Sequence, residues 1–247
     1  MASPLTVYSP DTDGRVYGGA TSYADARTMA SDTYETTVVR TGQYYGAPYF
    51  YIFEALIKFD TSSIPDDATI TSATLSGYLT ADNSAIDFTV QARIHSWTAP
   101  LSSDDWVVPT DLDTLTLVAT LATSGIGATG AYKAFTDVAL PANINKTGTT
   151  YILLCSSRSI EPGDAVGATD EYITFNGGGA GPNAFKLVVT YTSGTPPTIT
   201  TDAITNIAAN TATGGGNITG LTDAITDKGV CWNTGGTPTI ADSHTHD

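Results

Sequence analysis

Hydrophobic and polar positions alternate along short runs of this chain, the period of β-strands. The clearest run is Phe53–Leu79, where Ala55, Ile57 and Phe59 fall on one side and Leu56, Lys58 and Asp60 on the other. Ser63-Ile-Pro65-Asp-Asp67 then interrupts the pattern. The proline ring fixes φ and the aspartates can bond nearby backbone N–H groups, so a turn is predicted. Alternation resumes with Ile70, Ser72, Thr74, Ser76 and Tyr78 against Thr71, Ala73, Leu75, Gly77 and Leu79. Further strands are predicted over Tyr49–Phe53, Tyr151–Leu154, Tyr172–Phe175 and Lys186–Tyr191. Tyr23–Ala30 supports only a short helical turn. The expected fold class is therefore all-β.

Composition divides the chain into three stretches. Residues 1–192 carry the strand pattern and are expected to form one antiparallel β-sandwich, long enough to bury an ample core. Residues 193–197, Ser-Gly-Thr-Pro-Pro, combine a flexible glycine with two stiff prolines and form the expected linker. Residues 198–247 are rich in Thr, Ala, Asn and Gly and short of apolar runs.

Ala55-Leu-Ile-Lys-Phe-Asp-Thr-Ser-Ser-Ile-Pro65 followed by Ala68-Thr-Ile-Thr-Ser-Ala-Thr-Leu75 resembles the core of DNRLRE-type jelly-roll domains. Ile94-His-Ser-Trp97, Asn145–Leu154 and Lys186–Tyr191 resemble later segments of the same family. The resemblance covers roughly residues 7–192. It implies a jelly-roll-like sandwich, similar to carbohydrate-binding modules and found in bacterial surface proteins and phage virion proteins. Residues 198–247 resemble the start of a fibronectin-III-like or Ig-like module, about half of a full one. Such a fold serves binding, spacing and assembly alike, so it does not by itself choose a function.

Charge narrows the partners. The chain has 10 Lys and Arg against 25 Asp and Glu, for a net charge of −15. Such a surface disfavours the nucleic-acid backbone and anionic membranes. No run of about 18 apolar residues exists to span a bilayer. The first 13 residues have neither a positive start nor an apolar stretch, unlike a secretory signal peptide. Together with the family resemblance, this leads us to expect a location in a virion or on an extracellular surface.

Two cysteines, Cys155 and Cys231, lie in different segments, and no zinc-type spacing occurs. The sequence leaves open whether they pair. No nucleophile elbow, zinc-protease helix motif or phosphate-binding loop occurs either. The chain is expected to be no enzyme.

Three groups of residues are candidates for binding. Tyr44-Tyr45-Gly-Ala-Pro-Tyr49-Phe-Tyr51-Ile-Phe53 is the densest aromatic run. Alternation places Tyr49, Tyr51 and Phe53 on one face, where they would stack on sugar rings if exposed or form half a core if buried. Trp106, in a loop-rich segment beside Asp104 and Asp105, is a second platform candidate, whereas Trp97 ends a strand and suits the core. Asp11-Thr-Asp13-Gly14 resembles the start of a Ca²⁺ loop, and Glu161, Asp164, Asp170 and Glu171 form a second acidic loop. No cofactor is expected, since most acidic loops hold no metal; the alternative is a structural Ca²⁺ at Asp11 and Asp13. The leading functional expectation is a structural subunit of a phage virion or filament that forms a homo-oligomer or joins other subunits. The alternative is a module that recognises cell-surface glycans.

Overall fold

A computed structural model describes residues 2–31, 33–36, 38–161, 169–179, 181–193, 198–220, 225 and 227–246. Most of the expected linker, Gly194–Pro197, and Asp164 of the second acidic loop lie outside the described residues. The chain forms two compact units, Met1–Thr192 and Ser193–Asp247.

The first unit is a 13-stranded antiparallel sheet, curled so that its two halves face each other. Its strands are β1 (Ala2–Tyr8), β2 (Gly14–Ala20), β3 (Thr33–Glu35), β4 (Val38–Gly46), β5 (Tyr49–Asp60), β6 (Thr69–Ser84) and β7 (Thr89–Ile94). They continue with β8 (Leu117–Ala122), β9 (Ala131–Ala134), β10 (Thr136–Asp137), β11 (Thr149–Ser156), β12 (Glu171–Asn176) and β13 (Lys186–Thr192). Two single-turn helices interrupt them, α1 (Tyr23–Ala26) and α2 (Ser157–Ile160). The short helical turn expected from Tyr23 onward is α1, which begins where the Ser22 hydroxyl accepts the Asp25 N–H at 3.1 Å.

The strand β5 organises this unit. Phe50–Phe53 pair with both β2 and β4, so those two strands lie on opposite edges. Ala55 and Leu56 pair with both β2 and β11, so β11 shares an edge with β4. The sheet therefore branches near Glu54. One limb runs β4-β12-β6-β13-β1 and the other β11-β7-β8-β10. The main core fills the space between them, with Ala55, Ile57 and Phe59 meeting Leu75, Leu79, Ile152, Leu154, Phe175 and Leu187. These side chains supply the apolar burial that drives the halves together.

The turn after β5 forms as its residues dictate. Asp60 Oδ1 accepts the Ser62 N–H at 3.1 Å, and the Ala68 N–H donates to the Pro65 carbonyl at 2.9 Å. On the other face of β5, Leu56 joins Val16, Trp97, Leu101, Leu112, Leu153 and Cys155 in a second cluster under the connecting loops. A third cluster packs Ile52 against Tyr23 and Ala26 of α1. The fold is all-β, as the alternation implies.

The second unit contains β14 (Thr198–Thr201) paired with β15 (Gly216–Thr219), and β16 (Cys231–Trp232) paired with β17 (Ser243–His244). Ile199, Ile207 and Ile240 are exposed there. Cys155 and Cys231 are both free thiols. Among the described residues no helix is long and apolar enough to cross a membrane.

Candidate functional site

The aromatic run of β4 and β5 builds a surface on one face of the sheet. Tyr49, Tyr51 and Phe53 do share a face, but their burial is graded. Tyr49 is exposed, Tyr51 is half-buried, and Phe53 is buried at the edge of the core. Tyr44 sits directly opposite Tyr51 across the β4–β5 ladder. Their rings lie 6.0 Å apart at 22°, nearly parallel. Tyr49 continues the row at 6.2 Å from Tyr51. Tyr17 from β2 meets Tyr51 and Phe53 at 6.4 and 5.3 Å. Tyr172 from β12 closes the other side, 6.2 Å from both Tyr44 and Phe53.

Two glycines let these rings lie flat. A Cβ at Gly19 would stand 2.5 Å from the Tyr51 ring, and one at Gly46 would stand 2.7 Å from the Tyr44 ring. Each tyrosine thus covers the bare backbone of a neighbour.

Two arginines border the rings. The Arg15 guanidinium lies 4.9 Å from the Phe53 centroid and 5.2 Å from that of Tyr17, and donates to Glu35 through Nε and Nη2 at 3.1 and 2.6 Å. Arg40 lies 5.4 Å from Phe53 and donates through Nε to the Thr174 hydroxyl at 3.2 Å. Partial burial, then the nearby charge of Arg15, lowers the pKa of Arg40 from its ordinary value. An aromatic and cationic patch thus stands on a strongly acidic chain. Tyrosine faces offer apolar C–H stacking, hydroxyls at the ring edges offer hydrogen bonds, and guanidinium offers charge-assisted ones.

Trp106 does not join this patch. Its indole N–H donates to the Met29 carbonyl at 3.1 Å, and its ring packs with Ile52, Phe50 and the loop cluster. Ile52 and Phe50 point to the face of β5 opposite Tyr49 and Tyr51. Trp97 is buried and edge-on to Tyr151 at 5.8 Å, a core plug with the Lys58 ammonium over its ring.

The acidic loops differ from each other. Glu171 is fully buried, where its carboxylate accepts the Gln43 side-chain amide at 2.6 Å and pairs with Arg158 at 2.6 Å. Asp11 is exposed while Asp13, two residues on, is fully buried. Among the described residues, no three or more His, Cys, Asp or Glu gather as a metal-binding group.

Alternation in β5 and the Tyr44–Tyr45 pair made part of the patch visible in the sequence. Arg15, Tyr17, Arg40 and Tyr172 lie outside that run. Each lies on the side of its strand away from the apolar residues, Arg15 and Tyr17 two apart in β2, Arg40 and Tyr44 four apart in β4, and Tyr172 alone in β12. Isolated Tyr and Arg in three separate strands say nothing until the ladders bring them together. No protein-family model matches the chain, and no curated protein matches it.

Proposed function

We propose that this chain is a non-enzymatic structural subunit of an extracellular assembly, a phage virion fibre or decoration protein or a surface filament. In this reading the first unit recognises carbohydrate through its tyrosine face. The observation that supports recognition is the row Tyr44, Tyr51 and Tyr49, mounted on paired strands and bordered by Arg40. Rings held this way lose little conformational freedom when a sugar stacks on them. The assembly part rests on the resemblance of residues 53–79 to the family named above and on the acidic composition, which keeps crowded copies soluble.

The test is a glycan array probed with the full chain and with Tyr51→Ala, alongside light scattering of both proteins. Binding that the variant loses, with its mass unchanged, supports recognition by this face. Silence of the full chain across the array overturns it. A trimer or larger closed assembly supports the subunit reading, and a strict monomer overturns self-assembly.

A further inference from the structure

The second unit brings two imidazoles together at its surface. His244 stands opposite Cys231 in the β16–β17 ladder, and His246 follows two residues on, the spacing that returns a side chain to the same face of a strand. Their Nε2 atoms lie 2.9 Å apart. The rings are T-shaped, with centroids 4.6 Å apart. Two imidazoles meeting head-on through those nitrogens would stand farther apart, so the nitrogens meet at an angle.

The other nitrogen of each ring is engaged. His244 Nδ1 lies 2.7 Å from the Asp242 carbonyl oxygen, and His246 Nδ1 lies 2.8 and 3.0 Å from the two Asp227 carboxylate oxygens. A carbonyl and a carboxylate only accept, so each Nδ1 carries a hydrogen and donates it. That fixes the tautomer of both neutral rings and leaves a lone pair on each Nε2. Two lone pairs this close repel each other unless a cation lies between them.

We propose that His244 and His246 bind a divalent transition metal of the imidazole-preferring class, Cu²⁺ or Ni²⁺, through their Nε2 atoms.

Nitrogen–metal bonds of about 2.0–2.1 Å put two donors about 2.9 Å apart at a right angle and about 3.3–3.4 Å apart at a tetrahedral one. The separation of 2.9 Å is that of neighbouring positions around a tetragonal ion, which favours Cu²⁺ or Ni²⁺ over tetrahedral Zn²⁺. The Asp227 carboxylate and the Asp242 carbonyl play the part of outer partners that orient ligating histidines and raise their basicity. Among the described residues no third His, Cys, Asp or Glu completes the group, so water fills the remaining positions. The site is open to it, since the side chains of His246 and Asp227 are 65% and 59% exposed.

The backbone between the histidines is already held. The Thr245 N–H donates to the Val230 carbonyl, and the Thr245 hydroxyl accepts the Val230 N–H, both at 3.0 Å. An ion arriving there does not first have to order the strand. A proton shared between the two Nε2 atoms is the competing occupant.

The experiment is calorimetric titration of the full chain, free of any histidine tag, with Ni²⁺ near neutral pH. Ni²⁺ is the probe because it does not oxidise the Cys231 thiol. The expected result is one ion per chain, with no heat from Ca²⁺ or Mg²⁺, which take oxygen donors. His244→Ala and His246→Ala should each abolish uptake, and both residues are exposed, so neither change should disturb folding. Asp227→Asn should weaken binding about 10–100-fold. His95→Ala and Cys231→Ser should leave it unchanged. A chain that takes up no Ni²⁺ overturns the proposal and leaves the shared proton as the occupant. Uptake that survives both histidine variants, or that His95→Ala or Cys231→Ser abolishes, overturns it as well.

Discussion

The guanidinium carbon of Arg40 lies 4.3 Å from the centroid of the Tyr172 ring, across the β4–β12 ladder. The same guanidinium reaches Phe53, so one cation is shared by aromatic rings from two strands. Arg40→Ala should cost about 0.5–2 kcal/mol, the range for a partly desolvated cation–π contact. Arg40→Lys should recover only part of that, because an ammonium cannot stack as a plane. Urea unfolding of the three proteins measures the difference, and equal midpoints would remove any energetic role for the contact.

Gly42 separates Phe53 from Tyr172 in the same row of the sheet. Its φ is +122°, and a Cβ there would lie 2.2 Å from the Glu171 carbonyl oxygen. Gly42→Ala therefore combines an unfavourable backbone conformation with a clash against backbone that cannot rotate away. A loss of roughly 2–4 kcal/mol is expected. A denaturation midpoint unchanged from wild type would contradict the close approach of β4 and β12.

Glu54 sits where the sheet branches, fully buried. One oxygen accepts the Val107 N–H at 3.2 Å and the other has no partner. Burial raises its pKa well above the ordinary 4.5, only partly offset by that hydrogen bond. The folded state thus holds the proton at pH values where the unfolded chain has released it. This group's contribution to stability is full below about pH 4.5 and is lost as pH rises toward the folded pKa. Glu54→Gln keeps the acceptor for Val107 and cannot ionise. Its stability relative to wild type should grow as pH rises from about 4 to 8. Parallel pH–stability curves for the two proteins would show that Glu54 does not titrate on unfolding.

Cys155 is fully buried in β11, and burial pushes its thiol pKa far up, so little reactive thiolate forms. Cys231 is only half-buried. A thiol reagent at pH 8 should modify Cys231 in the native protein and reach Cys155 only after unfolding. Mass spectrometry after a short exposure distinguishes them. Equal labelling would mean that β11 opens far more readily than its core position implies.

Local alternation made much of the first unit legible in the sequence. It placed Ala55, Ile57 and Phe59 together, set Tyr49 and Tyr51 on that same side, and marked the turn at Ser63–Asp67. Each of these depends only on the two-residue period of a strand and on turn chemistry within a few residues. The tertiary structure decided how much of that side is covered. The limbs enclose Ile57 and Phe59 but leave Tyr49 open, so a single face passes from core to surface along one strand. It also set Trp106 behind β5, brought Arg15, Arg40 and Tyr172 beside the tyrosines, and buried Asp13 while leaving Asp11 exposed. Those outcomes depend on which strands become neighbours and where the sheet divides. Long-range ladders determine both, and no short window of sequence contains them.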